Sequence, residues 1–469
     1  MQKIRPERRV YLGQDPHDGH VPLWSAPRDS VAVVGPPGYG KTSGVLIPAL
    51  LHWDGPAVVT STRSDLVQAT GDHRRAVATS GPFNGAVHIY DPLEAEGYGS
   101  LRWSPAAGCA NASVCYRRVQ AMTSTIGSGV SDGEHWRSGA ALILRGLLHA
   151  AALAQAPMTH VRRWIAHQAT EEPAGIIRAH PATEAAHDFA DDLEGLALIG
   201  ERERGSFYSM ARTTLDLMAD PRVRASAAAI DLDIDQFLTS KSTLYVVGPN
   251  HYQAAIAPLI VALVDAIAQR AAELAAAQGG RLDPPLLLAL DEVANIAPLD
   301  SLPSLVSEGG GRGITTVWAA QSLAQMRQRY GADGAQAILT ASTAKLIYGA
   351  MSSDQDLRNV SAWAGETRVP EITHHGATTG GYPIPDRAVP PASPTTTRTA
   401  EVGGVGLPTD QARQHSVSGT YRPALPTEAI QMLPPGQAWL FYGSETPLEV
   451  STPPAGTLPA YRDAAGYTP

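Results

Sequence analysis

Gly35-Pro36-Pro37-Gly38-Tyr39-Gly40-Lys41-Thr42 satisfies the pattern G-x-x-x-x-G-K-[ST] at every fixed position. The four residues before it, Val31-Ala32-Val33-Val34, are all apolar and mostly β-branched, which reads as a buried strand. The residues after it, from Ser43 to Leu51, are largely apolar and read as the start of a helix. Strand, glycine loop and helix together form a phosphate cradle: backbone N–H groups close around phosphate oxygens, and the helix N-terminus adds partial positive charge. In this reading Gly35, Pro36, Pro37, Gly38, Tyr39 and Gly40 form the loop, and Ser43 follows it. Lys41 reaches the β- and γ-phosphates of a nucleoside triphosphate, and Thr42 ligates its Mg²⁺.

Composition sharpens this reading. The chain has 469 residues, 43% hydrophobic and 17% charged, which is enough for two or three domains with a sizeable core. Lysine occurs only at positions 3, 41, 241 and 345, so a lysine inside the glycine loop stands out against an arginine-biased background. A net charge of −9 argues against a uniformly basic nucleic-acid coat and leaves room for a local basic lining. Cys109 and Cys115 make neither a metal spacing nor a C-x-x-C motif, which suits a reducing compartment. The first thirty residues are charged and broken by proline, unlike a secretory signal. The longest apolar stretch, 254–264, contains Pro258 and stops at Asp265, short of the ~20 residues of a membrane span.

Outward from the loop, the chain falls into four expected parts. Residues 1–30 are a polar N-terminal segment with a short strand-like run at Val10–Gly13. Residues 31–110 and 233–450 alternate strand and helix, the mark of a mainly parallel sheet covered on both faces and so of an α/β fold; the glutamate directly after the expected metal aspartate, Asp291-Glu292, with further strands behind it, points to the RecA-like type. Between them, 111–232 loses strand signals and repeats apolar residues at helical spacing, as in Trp136, Ala140, Leu144, Leu147 and Leu148; four to six helices of an inserted all-α domain are expected, after a joint at Gly127–Gly133. His135, His149 and His167 lie there without a shared helical turn and are taken as structural or surface residues. Residues 366–420 are rich in Pro, Gly and Thr and read as a long loop, and its His374-His375 pair lacks further ligands at a readable spacing. Residues 451–469 read as a flexible tail.

A second motif supports the first. Leu286–Leu290 is wholly apolar and runs into Asp291-Glu292. Two acids at the tip of a buried strand suit a cation: Asp291 is expected to hold the Mg²⁺ shell and Glu292 to orient and activate the attacking water. An acidic helix cap is the plain alternative. ATPases of this type act at subunit boundaries, where an arginine from a neighbour neutralises transition-state charge. Arg312, in Gly309-Gly310-Gly311-Arg312-Gly313, is the expected finger, the glycines letting a loop approach the neighbouring site; Arg327 and Arg329 are the other candidates. Gln321 ends the strand-like run Thr315–Ala320, at the edge where open parallel sheets bind ligands, and is expected to sense the γ-phosphate.

Several of these stretches resemble the TraG/TraD family of type IV secretion coupling proteins. The likeness lies in residues 34–42 with Val45–Leu50, in Val58–Ser61, Asp91-Pro92, Leu101–Pro105, Thr243–Val247 and Leu290–Glu292. The most specific block runs from Gly311-Arg312-Gly313-Ile314 through Ala320–Gln325 to Tyr330-Gly331, and Tyr421–Leu425 and Leu433–Gly436 resemble the closing segment. The resemblance covers residues 10 to about 450. It implies a homo-hexameric, ATP- and Mg²⁺-dependent motor at the cytoplasmic face of the inner membrane. It also implies recruitment of a relaxase-bound DNA strand, or of protein effectors, to a secretion channel, with the all-α domain taking part in substrate recognition. DNA contacts would be to phosphates of a single strand, and so sequence-independent and salt-sensitive; Arg202 and Arg204 are candidates for such contacts.

Two departures accompany the resemblance. Family members usually carry N-terminal transmembrane helices, so this chain is expected either to be trimmed or to dock on a separate membrane-anchor partner. Where many members read Asp-Pro-Lys, this chain reads Ser61-Thr62-Arg63, which leaves Arg63 without an assigned role. Two other readings share the chemistry: a nucleotide-gated receptor for protein substrates with little DNA movement, and an FtsK-like DNA motor.

Overall fold

The computed structural model describes residues 8–458 and Tyr461, apart from 19, 81–84, 96, 127–132, 181–183 and 375–414. Its centre is a parallel sheet. The strands in chain order are β1 Tyr11–Asp15, β2 Val21–Trp24, β3 Val31–Val34, β4 Ala57–Ser61, β5 Val87–Tyr90, β6 Thr243–Val247, β7 Leu286–Leu290, β8 Ile314–Ala320, β9 Ala344–Tyr348, β10 Glu366–His374, β11 His415–Pro423, β12 Gln437–Tyr442 and β13 Leu448–Ser451. Eleven form one sheet in the order β2-β1-β13-β12-β9-β3-β8-β7-β4-β6-β5. From β9 to β5 every neighbouring pair is parallel. β3, β4, β6, β7 and β8 are buried along their whole length, which is why they read as apolar runs broken only by Thr and Ser: crossover helices cover both faces of a parallel sheet.

The remaining four strands of this sheet extend the β9 edge antiparallel, through β12, β13, β1 and β2. The N-terminal segment is therefore not merely polar. Val10, Tyr11 and Leu12 are fully buried in the core. The expected tail is also ordered at its start: β13 reaches Ser451, Thr452 is buried, and Tyr461 packs edge-on against Tyr11 and His52. Of the outer strands, only the Val10–Gly13 run is visible at the N-terminal end; β2 and β13 lack the long apolar run that marks the centre of the sheet.

Between β5 and β6 the described residues hold helices and no strand. Within 111–232 the described residues hold seven α-helices, from Ala112–Thr123 through the long Gly133–Leu153 to Pro221–Ser226, where four to six are expected, and an eighth, Ile234–Leu238, precedes β6. The joint expected at Gly127–Gly133 lies almost wholly outside the described residues. The chain enters and leaves this helical stretch through a clasp. Arg102 donates from its backbone and its guanidinium to Asp231, Asp231 N–H returns a bond to Arg102 O at 2.9 Å, and Trp103 N–H bonds Ser226 O at 2.7 Å. Leu101–Pro105 thus marks the point where the helical stretch is tied off.

The chain divides into two compact units, residues 1–357 with 427–469, and residues 358–426. The second contains β10 and β11, an antiparallel pair in register from Glu366↔Pro423 to His374↔His415. The expected long loop is therefore replaced at both its ends by strand. Its middle, including His375, lies outside the described residues.

Helix Gln253–Ala277 is long and apolar enough to cross a membrane, beyond what the run 254–264 suggests, and 72% of its most apolar window is buried inside the fold. The glycine run before Arg312 is a second correction. It is not a loop but the end of helix Leu302–Arg312, closed by Gly313 in the left-handed region at φ 81°. A Cβ on Gly310 would lie 1.8 Å from the carbonyl oxygen of Arg28, and one on Gly309 would lie 3.0 Å from that of Ile314. These glycines permit close backbone packing, which outweighs their low helix propensity.

Candidate nucleotide site

The glycine loop leaves β3, and the acids follow β7; β8 lies between these strands, and Gln321 follows it. All three tips lie at the C-terminal edge of the parallel strands. In open α/β sheets this edge is where ligands bind. Sequence positions 37–43, 291–292 and 321 thereby meet around one cavity of about 600 Å³, while Gly35 and Pro36 lie behind it, their carbonyls held by Lys41.

The loop has the backbone that its glycines permit. Gly38 and Gly40 adopt φ 81° and 98°. A Cβ at Gly38 would meet nothing within 4 Å, so this part of the loop is open to the cavity. The helix begins with a wide π turn over Thr42–Leu46. Lys41 is 7% exposed and folds back over its own loop, donating to Gly35 O at 2.5 Å and Pro36 O at 2.9 Å. Burial pulls the ammonium's pKa below its usual range, while Asp291 and Glu292 push it back up.

Thr42 Oγ1 donates to Asp291 Oδ2 at 2.9 Å. The two side chains expected to share a divalent cation therefore face each other across β8. Thr60 Oγ1 pins the Asp291 carbonyl at 3.1 Å. Asp291 is 8% exposed, and burial pushes its carboxyl up to about 6, helped by Glu292 and opposed by the Thr42 bond and Lys41. Hydroxyl and carboxylate oxygens at one point, with room beside them for phosphate and water, are the donor set of Mg²⁺. No group of three or more His, Cys, Asp or Glu gathers at a common point among the described residues, so any divalent cation here would draw its other ligands from nucleotide and water.

This burial gives a pH prediction. The folded pKa of Asp291 lies above its ordinary value of 3.8, so the ion-free protein is stabilised below that value and loses the stabilisation as pH rises through 6. Asp291→Asn should therefore raise the melting temperature of the nucleotide-free chain well above pH 6, by an amount on the order of 2–3 kcal/mol, and the gain should fade towards pH 4. Thermal melts of both proteins across that range measure it; a gain that grew on acidification would reverse the sign.

Glu292 has φ 49°, in the left-handed region that non-glycine residues occupy at a cost of about 1–2 kcal/mol. It is held there on both sides. Its N–H bonds Asp291 Oδ1 at 3.1 Å, and its carbonyl accepts from the N–H groups of Asn295 and Ile296. Gln321 Nε2 donates to Glu292 Oε1 at 2.8 Å, so these two expected site residues touch directly.

The far wall comes from a part of the sequence not expected at the site. Gly436 N–H bonds Tyr39 O at 3.0 Å, Thr452 N–H bonds Gly436 O at 2.7 Å, and both residues line the cavity with Pro435 and Pro454. The Leu433–Gly436 turn is visible in sequence, but nothing there ties it to a loop about 400 residues earlier. Arg63, left without a role, also lines this cavity. A Cβ on Gly44 would lie 2.3 Å from Thr452 O, which is backbone and cannot swing aside. Gly44→Ala should therefore force the first helical turn and the 452 segment apart, destabilising by about 2 kcal/mol and weakening nucleotide binding, both readable by melting with and without nucleotide.

The expected arginines lie elsewhere. Arg312 is half-exposed, pairs with Glu308 at 2.8 Å, and stands at the entry end of β8, roughly 20 Å of strand from its own pocket. Arg327 is committed to Asp356, and Arg329 bonds Ser124 O, Pro298 O and Asp300. His149 is buried, with Nδ1 2.7 Å from Cys109 O, and His135 pairs with Glu203 at 3.0 Å.

A parallel sheet of this order, with a glycine loop after one strand and acids after a strand two places away, defines the RecA-like phosphate-loop class. Within that class the match is narrower. Residues 9–375 fit the family described as "Type IV secretory system Conjugative DNA transfer", and the chain belongs to that family, as a TraG/TraD-type coupling protein. Two Escherichia coli proteins, each called "Conjugal transfer protein TraG", are 25% identical over 357 and 336 residues, which is 69% and 65% of this chain. The chain spans about half their length, 54% and 50%. Among solved structures, the "bacterial conjugative coupling protein TrwBdeltaN70" superposes with TM-score 0.63 at 20% identity, covering 94% of this chain and 88% of that one. Coupling protein TrwB with ADP and Mg²⁺ gives 0.60 at 20% identity, with 91% and 85% covered, and TrwB with the ATP analogue ADPNP gives 0.62 at 19%, with 93% and 88% covered.

Proposed function

We propose that this chain is an ATP-hydrolysing motor that moves a DNA strand, or a relaxase–DNA substrate, towards a type IV secretion channel. The observation that carries the proposal is the meeting of Thr42, Asp291, Glu292 and Gln321 at one cavity below the glycine loop. In this reading Lys41 leaves the carbonyls of Gly35 and Pro36 for phosphate oxygens, and Thr42 and Asp291 hold Mg²⁺. The metal, when bound, supplies charge that neutralises the β- and γ-oxygens. Glu292 takes a proton from the attacking water, and Gln321 fixes the Glu292 carboxylate and senses the γ-phosphate. TrwB, which shares the fold, is seen with ADP and Mg²⁺, with an ATP analogue and with a GTP analogue, and this supports a purine nucleotide with Mg²⁺ at the site.

Arg312 lies away from its own pocket, so it acts, in this proposal, on the site of a neighbour in a homo-hexamer. Mixing Arg312→Ala with Lys41→Ala subunits tests this: partial recovery of turnover is expected, and full turnover by Arg312→Ala alone excludes the role. The helical stretch 111–232 is proposed to receive the relaxase or another protein substrate, and a membrane-anchor or channel protein is proposed to hold the assembly at the cytoplasmic face of the inner membrane. The decisive experiment compares ATP turnover with and without single- and double-stranded DNA. Strong stimulation that falls with added salt and is lost in Lys41→Ala supports the motor; turnover indifferent to DNA but raised by a protein partner supports a nucleotide-gated receptor instead.

A further inference from the structure

Beyond the residues that touch the nucleotide cavity stands Gln325, four positions after Gln321 on the helix Leu323–Ala341. Its side chain makes two contacts with Gln321. Its Oε1 accepts the backbone N–H of Gln321 at 3.2 Å, and its Nε2 faces Gln321 Oε1 at 3.5 Å. Ser322, the N-cap of the same helix, accepts the backbone N–H of Gln325 at 3.3 Å and fixes where this side chain starts.

The polarity of this chain of bonds is set at one end. A backbone N–H can only donate, so the oxygen of Gln325 must face it. That places the Gln325 amide nitrogen towards Gln321. The Gln321 side chain then turns its oxygen to Gln325 and its nitrogen to Glu292, whose Oε1 accepts from it at 2.8 Å. Reversing either amide would set two acceptors or two donors against each other at one contact.

We propose that Gln325 is a positioning residue for Glu292, acting through Gln321 by dictating which end of the Gln321 amide faces the Glu292 carboxylate. The inference rests on the hydrolytic reading of the site and deepens it. Gln325 does not line the nucleotide cavity. It lines a second cavity of about 320 Å³ together with Asn295, Gln328 and Arg329. The two glutamines therefore form part of the wall between the cavities, and a polar group entering the second would compete for the amide that orients the first. A side chain serving only to cap its helix would have no reason to satisfy both the backbone and the side chain of Gln321.

The test uses the full chain. Gln325→Ala should speed hydrogen exchange at the Gln321 backbone amide about tenfold or more, and lower kcat about tenfold with KM for ATP unchanged. Gln325→Glu keeps the acceptor but replaces the donor with a carboxylate oxygen, so its kcat relative to the parent should be low near about pH 8 and climb towards about pH 5, where a protonated carboxyl again accepts at one oxygen and donates at the other. Dividing by the parent's own pH profile makes the ratio report on residue 325. Unchanged exchange at Gln321 in Gln325→Ala, or a ratio flat with pH in Gln325→Glu, overturns the proposal. Absence of turnover in the parent would instead sink the hydrolytic reading, and the exchange measurement would still decide whether Gln325 holds Gln321.

Discussion

Glu292→Gln should bind Mg·ATP as tightly as the parent and hydrolyse it about 10²–10⁴ times more slowly. The substitution keeps size and shape, and a glutamine oxygen can still accept from Gln321 Nε2 as Glu292 Oε1 does at 2.8 Å. What disappears is a group able to take a proton from water. Nucleotide titration together with single-turnover hydrolysis separates the two effects. Loss of binding alongside loss of turnover would place Glu292 in the cation shell rather than beside the attacking water. Backbone geometry adds a second expectation at this position. With φ at 49°, Glu292 sits where glycine is at ease, so Glu292→Gly should be equally inactive yet no less stable, and more stable by up to about 1–2 kcal/mol if the strain exceeds the lost Gln321 bond. A side chain kept against a backbone preference is a sign that the position is held for chemistry rather than stability.

Lys41→Ala should cost about 10²-fold or more in nucleotide affinity and remove turnover entirely. Two charge-assisted hydrogen bonds to phosphate, each worth about 1.5–3 kcal/mol, account for a loss of this size. The ion-free protein should also suffer, because the Lys41 ammonium now satisfies the carbonyls of Gly35 and Pro36. Lys41→Arg is not a rescue: a planar guanidinium is too wide for a buried point charge in this loop. Calorimetric titration of nucleotide measures the effect, and an affinity within threefold of the parent would exclude Lys41 from the phosphate grip.

The centre of the sheet was legible because burial on both faces leaves a plain trace. Val31–Val34, Ala57–Ser61 and Leu286–Leu290 are apolar or nearly so throughout, and each ends at a glycine, hydroxyl or acid turned to chemistry. On the flank, the runs Val10–Gly13 and Ala438–Tyr442 read as strands and form most of β1 and β12, but their neighbours were not legible, because β13 reads Leu-Glu-Val-Ser and gains its meaning only from partners at opposite ends of the chain. The glycines at 309–311 were misleading for a different reason. Intrinsic propensity calls them a breaker, while the backbone of Arg28 presses so close that no larger residue fits at Gly310. Lys41, Thr42, Asp291, Glu292 and Gln321 stand out by residue type, and the fold brings them to one cavity. Gly436, Thr452 and Gln325 contribute backbone position or orientation, which residue type does not reveal.

The wall supplied by Gly436 and Thr452 has a consequence for the making of this protein. During synthesis the glycine loop leaves the ribosome hundreds of residues before the segment that closes over it. β3 finds its two strand partners only once β8 and β9 have been made, and the pocket stays open on one side until translation has passed Pro454. Tight nucleotide capture would then report that the closing segment has been made and folded, and any ring whose joints need bound nucleotide would exclude copies lacking that segment without a separate proofreading factor.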